Sequence, residues 1–208
     1  ARLIEPGRGD FLLESVEGGE VRGRYSLLGL DPDLVFRARG PACEINRDWR
    51  TDREAFAPLA GDALAELRAL VSACHIDVPA PLPSALACLV GYFGYETIGL
   101  VEKLPRAPQG ALDLPDMLFV RPTVLLVFDR LGDELWCIAP VWPSAAAPEG
   151  TLARAAERID EALRKLAAPV PAPVRDTSHA EPQPQPVMTD GQYRDMVLRA
   201  KDYIEAGD

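Results

Sequence analysis

Histidine is nearly missing from this sequence: there are two, His75 and His179, and neither has a partner at ligand spacing. That removes the usual base of a Ser–His–Asp constellation, and no G-x-S-x-G elbow is present. Cysteine is also scarce. Cys43, Cys74, Cys88 and Cys137 form no C-x-x-C pair, and each sits among apolar residues. This disfavours a metal site or a disulfide framework and fits buried thiols in a reducing cytosol. A basic excess is absent; the formal charge of −10 argues against a general nucleic-acid binder. No apolar run is long enough to cross a bilayer, and no charged-then-apolar leader opens the chain. There is no G-x-G-x-x-G and no G-K-[ST], so "GYFGYE" reads as a glycine-bearing core strand rather than a nucleotide loop. Acidic residues are plentiful, but nothing selects a pair for glycoside chemistry.

What is present is a chain of 208 residues, 48% of them hydrophobic, which suits one large domain or one domain plus a piece of another. It begins at Ala1 and ends at Asp208 just past a helical pattern, which suggests a fragment of a longer protein. Residues Phe11 to Ile45 read as a β meander, with a turn at Asp31-Pro32-Asp33. A helix is expected over Asp62–Cys74, with Leu64, Leu67, Leu70, Val71 and Cys74 on one face. Pro79, Pro81 and Pro83 stop it. "ALACLVGYFGY", Ala85 to Tyr95, is a continuous apolar run and predicts a fully covered strand. Its Gly91 and Gly94 would admit a close neighbour. "MLFVRPTVLLVFD" and "ELWCIAPVW" predict two more strands, joined by a hairpin turn over Asp129–Asp133.

A second helix is expected over Thr151–Leu166, entered through Gly150-Thr151, with Leu152, Ala156, Ile159, Leu163 and Leu166 as its apolar stripe. From Pro169 to Pro186 the composition turns proline-rich, as in an extended linker. "MTDGQYRDMVLRAKDYIEAGD" then opens a new helix. Thr189 and Gln192 have capping-box spacing, and Gly207 suits the C-cap. Its apolar face, Tyr193, Met196, Val197, Ala200 and Ile204, reads as the opening of a further domain. The fold class expected is α+β, a mostly antiparallel sheet with flanking helices.

The stretch "LLESVEGGEVRGRYSLLG", Leu12 to Gly29, leaves two readings open. In one, Glu14 and Ser15 end a strand and Gly18-Gly19 turn the chain. In the other, a small polar pocket lies at the sheet edge. Glu14 would accept from an ammonium group, Ser15 and Ser26 would bond a small ligand, and Leu13, Tyr25 and Leu28 would pack a flat apolar side chain. An amino acid presents all these needs together.

"FLLESVEGG", "RGRYSLLGLDP", "GYFGYE", "LPDMLFVRPTVLLVFD" and the final "MTDGQYRDMVLRAKDYIEAGD" occur in an order that resembles anthranilate synthase component I over nearly the whole chain. "LLES" and "RYSLLG" are the specific pieces; "GYFGYE" is shared more widely among chorismate-utilising relatives. The resemblance implies a regulatory domain over 1–168, a Pro-rich linker over 169–186, and the first helix of a chorismate-binding catalytic domain over 187–208. It implies conversion of chorismate and ammonia to anthranilate and pyruvate in tryptophan biosynthesis, with Mg²⁺ held outside this chain. The ammonia would come from a glutamine amidotransferase partner, component II. It also implies that L-tryptophan inhibits by binding Leu13, Glu14, Ser15, Tyr25, Ser26 and Leu28, with Arg24 adjacent. No catalytic or metal residue is expected within these 208 positions. Two rivals remain: component I of aminodeoxychorismate synthase, and a stand-alone amino-acid-binding module. The capped final helix speaks against the second.

Overall fold

A computed structural model describes residues 3–14, 24–80, 82, 88–104, 112–142, 150–169 and 183–207. Nine strands and three α-helices are found among them, besides a short 3₁₀ helix over Tyr95–Leu100. In order these are β1 (Phe11–Leu13), β2 (Tyr25–Leu30), β3 (Leu34–Arg39), β4 (Ala42–Asn46), β5 (Phe56–Pro58), α1 (Ala63–Ala73) and β6 (Val90–Phe93). There follow β7 (Met117–Arg121), β8 (Val124–Asp129), β9 (Glu134–Ile138), α2 (Thr151–Ala167) and α3 (Asp190–Ala206). The strands form two antiparallel sheets, one ordered β1-β2-β8-β9 and the other β5-β4-β3-β7-β6. The chain forms two compact units, Ala1–Val170 and Pro171–Asp208. The α+β class expected from the sequence is observed.

The two sheets share one bent ribbon. β2 pairs with β8 in the first sheet, and β3 pairs with β7 in the second. The ribbon breaks where Asp31-Pro32-Asp33 lies beside Pro122-Thr123. Proline cannot donate to a ladder, so two prolines at one level end the pairing there. Backbone bonds from Asp33 N to the Arg121 carbonyl and from Thr123 N to the Leu30 carbonyl bracket the corner, and side chains pin it. Thr123 Oγ1 donates to the Asp31 carbonyl at 2.7 Å, and Arg121 grips Asp33 through two hydrogen bonds of 2.7 and 3.0 Å. Asp31 has φ +49°, and Pro32 and Pro122 are fully buried.

This corner corrects two expectations. The Phe11–Ile45 segment is not one meander, because its strands divide between sheets. "MLFVRPTVLLVFD" is two strands, β7 and β8, with Pro122 at the break. The hairpin after β8 forms as expected, with Asp129 paired to Glu134.

Each sheet buries one face under a helix. Leu34, Phe36, Ala38, Cys43, Ile45 and Met117 of the second sheet pack with Ala63, Leu67, Leu70 and Cys74 of the α1 segment. Val71 stands 54% exposed, so the buried stripe runs through Ala63 rather than Val71. Asp62 caps α1, its Oδ1 accepting from the Leu64 and Ala65 amides at 3.1 Å each. On the first sheet, Leu28, Leu30, Val124 and Leu126 pack with Leu3 and with Ala162 of α2, and Cys137 and Leu166 join them. Ala155 and Ala162 are the buried positions of α2, whereas Leu152 is 78% exposed. Small residues let the helix lie close to the sheet; of the expected stripe, Leu166 packs on the core and Ile159 is half-buried, while Leu152, Ala156 and Leu163 are exposed.

The covered strand expected over Ala85–Tyr95 is shorter and lies at an edge. Among the described residues only Val90–Phe93 pair, and Phe93 is 58% exposed; residues 85–87 lie outside the described set. Most of the proline-rich linker, 170–182, also lies outside it. Within the second unit, α3 has the capping box predicted for it. Thr189 N donates to Gln192 Oε1 at 2.9 Å, and Gln192 N donates to Thr189 Oγ1 at 3.3 Å. Gly207 closes the helix with φ +84°. Tyr193, Met196, Val197 and Ile204 are all exposed.

Candidate functional site

The candidate region is the free end of the first sheet, where β1 lies beside β2. Leu13 pairs with Leu27, and Tyr25 pairs across to Asp129 of β8. Side chains alternate between faces along a strand. Leu13, Tyr25 and Leu27 therefore share one face with Val127 and Trp136. Ser26 and Leu28 lie on the other face, the one covered by α2. Both are buried, each 6% exposed, and Leu28 belongs to the α2 core. The candidate residues thus do not line a single pocket wall. Leu13 and Tyr25 come together on the face opposite α2, and Ser26 and Leu28 back the same strand from behind. Glu14, at the end of β1, is exposed. Ser15 lies outside the described residues.

Arg24 and Asp129 fix this end of the sheet. Arg24 Nε donates to Asp129 Oδ1 at 2.8 Å, and Nη2 donates to Oδ2 at 2.5 Å. The same carboxylate accepts the Leu131 amide at 3.0 Å and the Gly132 amide at 3.3 Å, which closes the β8–β9 hairpin. The Arg24 bonds, with those turn amides, lower the Asp129 pKa to about 2. Arg24 also stands 4.8 Å from the Tyr25 ring centroid, so the cation is shared between carboxylate and ring. Asp129 was missed by sequence reasoning, which saw it only as a turn residue. It lies 105 positions from Arg24, and no local pattern links the two.

Chemically, this end offers a half-open apolar surface, Leu13, Leu27 and Trp136, beside Tyr25, with an exposed carboxylate at its rim. That matches an aromatic or aliphatic amino acid better than a phosphate or a metal. Among the described residues no group of three or more His, Cys, Asp or Glu side chains gathers as a metal site would require. No described helix is long and apolar enough to cross a membrane.

Comparison with known proteins identifies the family. The sequence pattern of the chorismate binding enzymes matches residues 10–208. The chain belongs to the chorismate-binding enzyme family. Over its whole length it is also similar to anthranilate synthase component 1. It is 43% identical over 210 residues to that of Cereibacter sphaeroides, covering 100% of this chain and 42% of the relative. It is 32% identical over 207 residues to that of Thermus thermophilus, covering 100% of this chain and 41% of the relative. The chain spans about two fifths of the length of these curated relatives, corresponding to their N-terminal portion. The crystal structure of anthranilate synthase component I from Streptococcus pneumoniae superposes with a TM-score of 0.62 at 20% identity. It covers 99% of this chain and 44% of that one, a likeness that shows the fold.

Proposed function

We propose that this chain is the tryptophan-sensing portion of an anthranilate synthase component I. The longer protein converts chorismate and ammonia to anthranilate and pyruvate in tryptophan biosynthesis. A glutamine amidotransferase, component II, supplies the ammonia in the cytoplasm. Chorismate and Mg²⁺ are held by residues outside these 208 positions. The observation that carries this reading is the end-to-end similarity to relatives named anthranilate synthase component 1, at 43% identity for one of them.

On this reading L-tryptophan binds at the β1–β2 edge, on the face opposite α2. Leu13 and Tyr25 take the indole, Glu14 accepts the ammonium group, and Ser15 completes the polar end. Ser26 and Leu28 hold β2 in place from the α2 side. Regulation then follows from differential affinity. Tryptophan shifts the enzyme toward an inhibited arrangement only insofar as it binds that arrangement better. By reciprocity, chorismate weakens tryptophan binding by the same factor.

The deciding assay identifies the product formed by the full-length protein from chorismate with ammonia and with glutamine plus component II. Anthranilate and pyruvate are expected. Accumulation of aminodeoxychorismate would instead assign the chain to the folate-pathway relative, and turnover of neither kind would point to a binding module.

A further inference from the structure

On the α2 side of the first sheet, the N-terminal segment, the β2–β3 corner and α2 line a half-open cleft of about 380 Å³. Its apolar floor is Leu3, Leu30, Val124 and Ala162, and its rim is charged. Five cations face it, Arg8, Arg50, Arg53, Arg158 and Lys165, against the carboxylates of Glu5, Asp31 and Glu161. This local excess of positive charge stands out in a chain of formal charge −10.

Three of the cations are already neutralised. Arg8 is bound by Asp10 and lies 2.7 Å from Glu5, Arg50 lies 2.8 Å from Asp31, and Lys165 lies 3.0 Å from Glu161. The other two are not. Arg53 donates to the Arg8 carbonyl at 3.1 Å and stands 4.4 Å from the Trp49 ring centroid, but no carboxylate among the described residues pairs with it. Arg158, half-buried on α2, has no hydrogen bond or ion pair among the described residues. Burial and the neighbouring Arg50 push its pKa down, although Asp31 and Asp33 pull the other way. A half-buried guanidinium with carboxylates nearby but none in hydrogen-bond contact is incompletely compensated, and an anion seated beside it would supply the missing hydrogen bonds.

We infer that this cleft binds a small organic or inorganic anion carrying at least two negative charges as carboxylate or phosphate, held by Arg53 and Arg158. Its volume is within the range of small-molecule sites and too small for a macromolecular polyanion. The apolar floor suits the carbon body of an organic acid, and the two arginines suit bidentate oxyanion contacts.

The test is calorimetric titration of the full-length protein with inorganic phosphate and, separately, with citrate, at ionic strength held constant with sodium chloride. Saturable binding of at least one probe is expected. Arg158→Gln and Arg53→Gln should each weaken it about tenfold or more. Arg130→Gln, an exposed site on the β8–β9 hairpin, should leave it unchanged. Binding of phosphate alone or of citrate alone would identify the oxyanion. No saturable heat up to about 10 mM of either probe, far into the weak-affinity range, would overturn the inference. Binding unaffected by both arginine variants would overturn it equally. If Arg158→Gln does not give a native circular dichroism spectrum, Arg53→Gln decides.

Discussion

Replacing Gly91 by alanine tests how β6 is held to the second sheet. A Cβ at this position would lie 1.9 Å from the Leu118 carbonyl oxygen and 2.7 Å from the Phe119 Cα. Both are backbone atoms of β7, so no side chain can swing away. An ordinary carbon–oxygen contact needs more than an additional ångström, and β6 must retreat by about that much. Overpacking of this kind costs about 1–3 kcal/mol. The retreat also loosens the edge-to-face pair of Phe93 and Phe119, whose ring centroids are 5.0 Å apart; such a pair contributes about 0.5–1.5 kcal/mol. The sum is a loss of about 1.5–4.5 kcal/mol, limited because β6 is an edge strand and can detach alone. Urea unfolding followed by circular dichroism reads it. The midpoint should fall, and the slope should fall as well if β6 is already released in the folded variant. Gly99→Ala is the control, since nothing lies within 4 Å of its added Cβ, and it should change stability by less than about 0.5 kcal/mol. A change that small at Gly91, with an unaltered slope, would refute the reasoning.

Other outcomes follow from the same structure. Phe36→Ala empties a fully buried site between β3 and α1 and should cost about 3–5 kcal/mol in denaturant unfolding. Asp129, with its carboxyl lowered to about 2 from 3.8, adds stability that is complete above the higher value and is lost as the pH falls toward the lower one. Unfolding measured from neutral pH to pH about 2 should therefore lose this acid-dependent component in Asp129→Asn. Ser15→Phe in the full-length protein should relieve tryptophan inhibition while leaving anthranilate formation largely intact; unchanged inhibition would remove Ser15 from the pocket.

The locally encoded elements were readable. The Thr189–Gln192 box and the Gly207 terminus each involve neighbours a few residues apart. Such signals survive any tertiary arrangement. Gly91 was also legible as a point of close approach. The division into two sheets was harder. Its signal, the polar Arg121-Pro122-Thr123 break between two apolar runs, was present, but only pairing with the Asp31–Asp33 corner shows that both strands break at the same level. The two-faced disposition of Leu13 and Tyr25 against Ser26 and Leu28 follows from strand alternation once register is known. The Arg24–Asp129 pair and the Arg53–Arg158 cleft join residues about a hundred positions apart. No sequence spacing announces such contacts, because only the closed sheet and the docked helix bring them together.

The most direct measurement of the central claim is calorimetric titration of L-tryptophan into the full-length protein and into its Ser15→Phe variant. The account predicts saturable binding to the first, weakened when chorismate is present, and loss of that binding in the second. Absence of binding to the unmodified full-length protein would contradict it.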